Sequence, residues 1–415
     1  MKVSNEVNEV IENPAFGKAT PVITEGRQLP RRLFSIDVFR ALTMFFMIFV
    51  NDVSGVTNIP AWIEHVGAND DGMGFADTIF PLFLFIVGLS LPFALIKHIN
   101  RGDSFYKVAT YILTRSIALL IMGFLHVNLE NYNSAAVLPK AVWEIFITVG
   151  FFLIWLDYSD KMNRSKKYFL QGLGVLILLI MAYLFQGGEP SAPVGLKPYW
   201  WGILGIIGWA YLICACIFLL SKGNLKIQIT ALVVFILTNI AYHTGIFELH
   251  ILGIGDASAI SLTMAGVVTS LLYKHMAGKG KDKLLWGLFA VSGIFMLVFG
   301  LLIRPYAEGI SKIHSTPAWV TICIGIGILV FELMMYLIDI KGKQNWFKAI
   351  RPAGTSTLTS YLIPYFLHSF MILVGFHYPY FLSQGAGGIL RSFFIAFFVI
   401  WITGLLEKRK IRLQL

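Results

Sequence analysis

The sequence predicts an all-α polytopic membrane protein with about twelve transmembrane helices. Of its 415 residues, 57% are hydrophobic and only 13% are charged, and the mean hydropathy is +0.72. Soluble domains are nearer 45–50% apolar and about 25% charged. Apolar stretches of about 20 residues, the length that crosses a bilayer as a helix, recur along nearly the whole chain. A transmembrane β-barrel would instead show short segments of alternating hydrophobicity.

The apolar stretches divide the chain into a short polar tail, 1–34, and a single transmembrane domain, 35–415. The tail is partly acidic and lacks the pattern of a secretory signal peptide, so we expect a cytoplasmic extension. The predicted spans are 35–54, 75–97, 106–127, 137–156, 167–186, 199–220, 227–244, 257–275, 284–303, 317–339, 354–376 and 387–406.

Basic residues concentrate in alternate connections and beside both ends of the domain, as the positive-inside rule expects. Lys161, Arg164 and Lys166 mark one such connection, whereas the loop 55–74 contains no lysine or arginine. This sorting predicts that both termini are cytoplasmic and that the loop 55–74 faces outside. It also accounts for the formal net charge of +10, so we expect no nucleic-acid partner.

Several classes of site have no support in the sequence. The three cysteines, Cys214, Cys216 and Cys323, all lie inside apolar stretches, which indicates small core residues and no disulfide framework. We find no zinc-type ligand spacing and no glycine-rich phosphate loop, so no metal is expected. The lack of a strong internal repeat weakens the case for an inverted-repeat transporter.

The segment 32–93 carries polar chemistry that a membrane anchor does not need. Two long apolar runs flank a loop that is acidic and has one histidine. The polar residues of this loop and of its junction with the second span are Glu64, His65, Asp70, Asp71 and Asp77.

Charged residues near the predicted cytoplasmic end of the first span have two interpretations. Asp37 and Arg40 are spaced i, i+3, which suits a local salt bridge or a snorkelling side chain. In the alternative interpretation, Arg40 faces an anionic cytosolic ligand. Arg115, about three turns into the third span, lies at comparable depth and is placed to join it.

At the other end of the first span, Asn51 and Asp52 close the helix and Asp77 opens the next one. Each could serve only the helix ends. His65 has the acid–base range suited to proton transfer or to accepting an acyl group. A lone loop histidine is usually just solvated, but an adjacent carboxylate would orient the imidazole and stabilise its cationic form.

Further polar residues are predicted inside or at the ends of other spans. Glu144 and Glu332 are either structural partners or parts of a proton path. His126 and Asn128 end the third span on the predicted outer side, where they would line the same vestibule as the loop 55–74.

The opening segment resembles a known family. RLFSIDVFRALTMFFMIFVND, followed by a tryptophan- and histidine-bearing loop and by ADTIFPLFLFIVGLSL, is similar to the heparan-α-glucosaminide N-acetyltransferase family. Weaker similarities are ISKIHSTPAWVTICIGIGILVFELMMYLID and the ending LLEKRKIRLQL, and residues 157–250 carry two extra spans. Because the family includes bacterial inner-membrane relatives, the resemblance implies that location.

The resemblance also implies an activity. The family moves acetyl from acetyl-CoA to an amino sugar on the far side of the membrane with a loop histidine. In this sequence His65 matches that histidine, Asn51 the asparagine that ends the helix, and Asp77 the aspartate that opens the next one. Eukaryotic members have Gly-His-Glu where this chain reads YLIPYFLHS, with Pro364 at the histidine position. The acceptor is therefore less transferable than the donor chemistry.

The resulting hypothesis is a transmembrane N-acetyltransferase with His65, Asn51 and Asp77 as catalytic residues. Asp37, Arg40 and Arg115 would hold acetyl-CoA, and the sugar would contact Asp52, Glu64, His126 and Asn128. The expected partners are an amino sugar, acetyl-CoA and membrane lipid, and the sequence leaves homodimer formation open. The alternatives are a twelve-span secondary transporter and an O-acetyltransferase of an envelope polysaccharide.

Overall fold

The computed structural model describes residues 33–159, 161–246, 253–277 and 279–415. The polar tail predicted over 1–34 lies outside the described residues except for its last two positions. The cytoplasmic extension therefore stays a prediction.

Helices dominate the described residues and confirm the all-helical prediction. Twelve long helices coincide with the twelve predicted stretches, and one five-residue helix precedes the last pair. A two-stranded antiparallel hairpin, β1 (Gly187–Glu189) and β2 (Ala192–Val194), was not predicted. The helices are α1 (Phe34–Val53), α2 (Phe75–Asn100), α3 (Phe105–Asn128), α4 (Lys140–Trp155), α5 (Arg164–Leu184), α6 (Ile203–Leu220), α7 (Leu225–His243), α8 (Ser258–Met276), α9 (Asp282–Ile303), α10 (Pro317–Met334), α11 (Arg351–Thr355), α12 (Thr357–Leu373) and α13 (Gly385–Lys408).

Within the described ranges, nine helices are long and apolar enough to cross a membrane, which identifies a polytopic membrane protein. The helices α4, α8 and α12 coincide with predicted spans but are shorter or less apolar. The count of twelve spans and the orientation of the termini stay predictions.

The helix α8 lies in the interior, and its low hydropathy comes from buried hydroxyl side chains. Nearly all of its side chains are buried, and several of them are hydroxyls. Ser261 and Thr269 each donate to the carbonyl four residues earlier, at 2.8 Å in both cases. Polar residues are tolerated there because their hydrogen bonds are made within the helix.

Two glycines bring the backbones of α2 and α8 into direct contact. A Cβ added at Gly88 would lie 1.8 Å from the carbonyl oxygen of Thr263, and one at Gly266 would lie 2.0 Å from that of Phe85. Small residues at such crossings allow close van der Waals packing between helices in a bilayer.

The far end of α1 is tied to α13 by an ion pair. The Oδ2 atom of Asp52 accepts a hydrogen bond from Nη2 of Arg391 at 3.0 Å and from the hydroxyl of Ser392 at 2.6 Å. Arg391 also lies over the ring of Tyr378, 4.5 Å from its centroid. This anchor fixes the point from which the chain enters the loop that carries His65.

Candidate active site

His65 and Asp77 form a hydrogen-bonded pair at the junction of the 54–74 loop with α2. Nδ1 of His65 lies 2.7 Å from Oδ1 of Asp77, whose side chain is only 2% exposed, whereas that of His65 is 36% exposed. The contact with a carboxylate assigns a hydrogen to Nδ1. In the neutral ring, the second nitrogen, Nε2, then carries the lone pair.

The carboxylate of Asp77 is held from its other side by the backbone. Its Oδ2 atom accepts hydrogen bonds from the N–H groups of Val66, at 3.0 Å, and Gly74, at 2.9 Å. The bond to Gly74 caps the start of α2, where the helix dipole also favours a negative charge. Asp77 is thus a fixed anion rather than a mobile side chain.

The loop reaches this position because it doubles back along the first turn of α2. The N–H of Phe75 donates to the carbonyl of Trp62 at 2.7 Å, and a Cβ added at Gly74 would lie 2.0 Å from the carbonyl oxygen of Glu64. The close crossing brings residues 65 and 77 to the same place although they are twelve positions apart.

A second connection, residues 304–316 between α9 and α10, is locked onto this loop. Nε of Arg304 lies 3.0 and 2.8 Å from the two carboxylate oxygens of Asp71, and the N–H of Ile310 donates to the same carboxylate at 2.6 Å. The Ile310 N–H first, and then the Arg304 side chain, hold the pKa of Asp71 below its ordinary value. The two connections therefore form one structural unit.

Lys312, in the same connection, adds a cation to the His65–Asp77 pair. Its Nζ atom lies 3.2 Å from Nδ1 of His65 and 3.9 Å from Oδ1 of Asp77. Burial lowers the pKa of the Lys312 ammonium from its ordinary value, and the charge of Asp77 opposes that shift. Behind the pair, the indole N–H of Trp319 in α10 donates to the backbone carbonyl of Asp77 at 3.2 Å.

Sequence reasoning missed both Lys312 and Arg304 as site residues. The signal that could have found them is their location. Basic residues are scarce in the connections predicted to face outside, so each one found there is expected to have a specific carboxylate or other partner. Asp71 and the His65–Asp77 pair are those partners.

Three predicted residues close to His65 in sequence are not joined to its imidazole by any contact among the described residues. Asn51 is exposed in the last turn of α1. The carboxylate of Asp52 is engaged by Arg391 and Ser392. Glu64 is partly exposed, and its carbonyl faces Gly74. The roles assigned to Asn51, Asp52 and Glu64 stay predictions.

His126 lies in an aromatic cluster between α3 and α12. It is 8% exposed and stacks on Tyr365, with ring centroids 4.4 Å apart, and the hydroxyl of Tyr365 lies 3.0 Å from that of Tyr361. Neither ring nitrogen of His126 has a hydrogen-bond partner among the described residues. Its assignment to the sugar site stays a prediction.

The side chain of Asn128 forms hydrogen bonds with backbone groups. Its amide nitrogen donates to the carbonyls of Phe124, at 2.8 Å, and Lys197, at 3.0 Å, and its oxygen accepts from the N–H of Lys197 at 3.0 Å. These bonds tie the end of α3 to the segment that precedes α6. A contact between Asn128 and a sugar stays a prediction, and it would have to replace these hydrogen bonds to the backbone.

Of the two membrane carboxylates, Glu144 borders a largely apolar cavity. It accepts a hydrogen bond from the hydroxyl of Ser369 at 2.5 Å and lines a cavity of about 300 Å³ between α4 and α12, together with Lys140 and His368. Glu332 is partly exposed on α10. Neither carboxylate has an arginine partner among the described residues, and both interpretations stay predictions.

Arg40 and Arg115 gather at the opposite end of α1. Nη1 of Arg40 lies 3.3 Å from Oδ1 of Asp37, and Nη2 donates to the hydroxyl of Ser90 in α2. Arg115 lies over the ring of Tyr211, 5.1 Å from the centroid, and its charge acts on that of Arg40. Its buried Nε has no hydrogen-bond partner in the described part of the chain.

The segment that contains the His65–Asp77 pair is similar to a known family. A family model described as heparan-alpha-glucosaminide N-acetyltransferase, catalytic, matches residues 32–131. That segment resembles this family. It contains the His65–Asp77 pair and both Arg40 and Arg115, whereas Lys312 lies outside it.

Two curated relatives carry the same name. The human heparan-alpha-glucosaminide N-acetyltransferase is 34% identical over 121 residues, which cover 29% of this chain and 17% of the human protein. The mouse protein is 36% identical over 107 residues, which cover 26% of this chain and 15% of the mouse protein. The chain thus spans less than a fifth of the length of either relative, and the resemblance predicted from the opening segment is confirmed for that part.

Proposed function

We propose that the protein is a transmembrane N-acetyltransferase that moves acetyl from cytosolic acetyl-CoA to the amino group of a glucosamine-type sugar at the opposite membrane face. The observation that carries the proposal is the 2.7 Å contact between His65 and the buried Asp77, inside the segment similar to the acetyltransferase family. A location in a bacterial inner membrane belongs to the same proposal.

The donor end of the site is assigned to Arg40 and Arg115. Their guanidinium groups lie close enough to interact, and among the described residues Asp37 is the one carboxylate that contacts either of them. Planar guanidinium groups match phosphate oxygens in geometry and charge. The unpartnered Nε of Arg115 is a donor that a phosphate of acetyl-CoA would satisfy. Asp37 would act by holding Arg40, because a carboxylate repels phosphate.

The chemistry is assigned to Nε2 of His65. In a direct route, Nε2 takes a proton from the sugar amine as that amine attacks the thioester carbonyl, and CoA leaves as the thiol. In a two-step route, Nε2 attacks the thioester, CoA leaves, and the amine then takes the acetyl group and releases a proton. In both routes Asp77 holds the ring and stabilises its positive charge. The exposed amide of Asn51 would position the acceptor.

The proposal is tested with the full chain purified in detergent and supplied with acetyl-labelled acetyl-CoA. The acceptor panel contains glucosamine, a glucosamine-terminated oligosaccharide and a polysaccharide without free amines. We expect labelled N-acetyl sugar and free thiol without any ion gradient. Label on hydroxyl groups would instead identify an O-acetyltransferase, and gradient-driven sugar uptake into vesicles without turnover would identify a transporter.

The histidine is tested in the same assay with His65→Ala. Transfer should fall by about 10³-fold or more, since the base or acyl carrier is gone, while acetyl-CoA binding is retained. His377→Ala is the matched control, because His377 is also an exposed histidine in a connection. Wild-type turnover by His65→Ala would refute the assignment.

A further inference from the structure

Lys312 is a cation held against the His65–Asp77 pair by a segment 247 positions away in the chain. Because Nδ1 of His65 donates to Asp77, it cannot also accept a hydrogen bond from an ammonium group. The imidazole N–H and the Lys312 ammonium therefore converge on the same carboxylate oxygen, at 2.7 and 3.9 Å.

The position of Lys312 is built by its own segment. The N–H of Ser311 donates to the hydroxyl of Thr316 at 3.0 Å, and the N–H of Thr316 donates back to the carbonyl of Ser311 at 3.1 Å. Both residues are buried, and the Lys312 side chain is only 27% exposed. With Arg304 clamped on Asp71, this closed turn presents the ammonium at a defined place.

The other charges around the imidazole do not replace that of Lys312. Arg304 is engaged by Asp71, so its charge is largely compensated. Among the described residues, Cys323 of α10 is the further titratable group that acts on Asp77 and Lys312. Glu64, Asp70 and Asp71 lie in the loop of His65, and Arg304, Glu308 and His314 share the connection of Lys312.

We propose that Lys312 is a positioning residue that keeps His65 neutral, with the Nε2 lone pair free to accept a proton or an acetyl group. Asp77 alone would favour the imidazolium form, in which Nε2 carries a hydrogen and has no lone pair. A second cation beside the ring disfavours that form, since like charges repel. The catalytic part of this inference rests on the proposed function, whereas the effect on His65 does not.

The effect is measured with diethylpyrocarbonate, which acylates the neutral form of an imidazole. The full-length protein in detergent is modified at a series of values between about pH 5 and pH 9, and the His65 peptide is quantified by mass spectrometry. In Lys312→Met, the midpoint of the pH curve should move upward by about one pH unit, so that His65 reacts about tenfold more slowly below the midpoint. Lys312→Arg keeps the charge and should keep the wild-type midpoint.

Lys197→Met is the matched control, because it removes another lysine, an exposed one, from a connection predicted on the same membrane face. Its midpoint should equal that of the wild type. An unchanged midpoint in Lys312→Met would overturn the inference. If Lys312→Met does not fold, Lys312→Gln gives the same comparison.

The readout uses neither acetyl-CoA nor a sugar, so it separates the two proposals. A shifted midpoint in a protein that transfers no acetyl would refute the acetyltransferase and keep the role of Lys312. In an active enzyme, the acidic limb of kcat/KM should move in parallel with the modification curve. Transfer with an unshifted limb in Lys312→Met would also overturn the inference.

Discussion

The two ends of the α1–α2 pair handle charge in opposite ways. At the end that carries His65, each described cation has a carboxylate partner: Lys312 lies near Asp77, and Arg304 is paired with Asp71. At the end that carries Arg40, Asp37 contacts that guanidinium group, and Nε of Arg115 has no partner among the described residues.

This difference matches two tasks. A compensated cluster around one imidazole controls where a hydrogen sits, which is what proton or acyl transfer requires. A buried guanidinium N–H without a hydrogen-bond partner is costly unless a ligand supplies one. Under the proposed function, the first end would serve the chemistry and the second would hold the phosphorylated donor.

The largest expected effect is that of Asp77→Asn on turnover. An amide cannot stabilise the cationic ring and presents an N–H₂ group to Nδ1, so we expect kcat to fall by about 10²–10⁴-fold. The measurement is kcat per folded molecule, because Asp77 also caps α2. A value within about threefold of the wild type would show that the pair is not part of the chemistry.

A smaller effect is expected at the other end of the helix pair. Arg115→Gln and Arg40→Gln should each raise KM for acetyl-CoA by about 10- to 100-fold, the loss of one charge-assisted contact, with kcat largely kept. Arg412→Gln is the matched control, since Arg412 is paired with Asp157 at 2.9 Å. An unchanged KM in both variants would remove the donor site from this end.

Asp52→Asn separates a structural role from the sugar contact predicted by the sequence. It breaks a half-buried pair with Arg391, and we expect a loss of about 2 kcal/mol in the free energy of unfolding. Thermal unfolding in detergent measures this loss. The structural role also predicts an unchanged KM for the acceptor, and a raised KM at unchanged stability would favour the sugar contact.

The smallest effect concerns the lock between Asp71 and Arg304. Because the pKa of Asp71 is lowered in the folded protein, its stabilisation is present above the unfolded value of about 3.9 and is lost as pH falls through the folded value. Both side chains are about half exposed, so the contribution is below about 1 kcal/mol.

Asp71→Asn should therefore unfold at a slightly lower temperature than the wild type at neutral pH. This difference should vanish once the pH lies below the lowered pKa of Asp71 in the folded protein, where the wild-type carboxyl group is also protonated. A difference that persists in acid would mean that the charge of Asp71 does not lock the two connections.

Much of the fold was predictable because hydrophobicity acts locally. Each predicted apolar stretch coincides with a helix. The pairing of His65 with Asp77 was predictable from the resemblance, and both lie within one connection and the helix that follows. Asn128 shows the limit, because its sequence position does not reveal that it bonds the backbone of Lys197.

Contacts between distant segments were beyond the sequence. Lys312 reaches His65 across 247 positions and Arg391 reaches Asp52 across 339. No local pattern encodes such a distance. The β1–β2 hairpin was missed for a different reason, since three-residue strands are too short to show an alternation.

The geometry of the His65–Asp77 pair depends on Gly74, a residue that has no side chain. Any side chain there would meet the carbonyl of Glu64, only 2.0 Å from the added carbon, and the loop would have to swing away from α2. His65 would then leave Asp77 while every reactive group remained chemically intact. A change as small as one methyl group at this position is therefore expected to inactivate the protein as fully as the removal of its histidine.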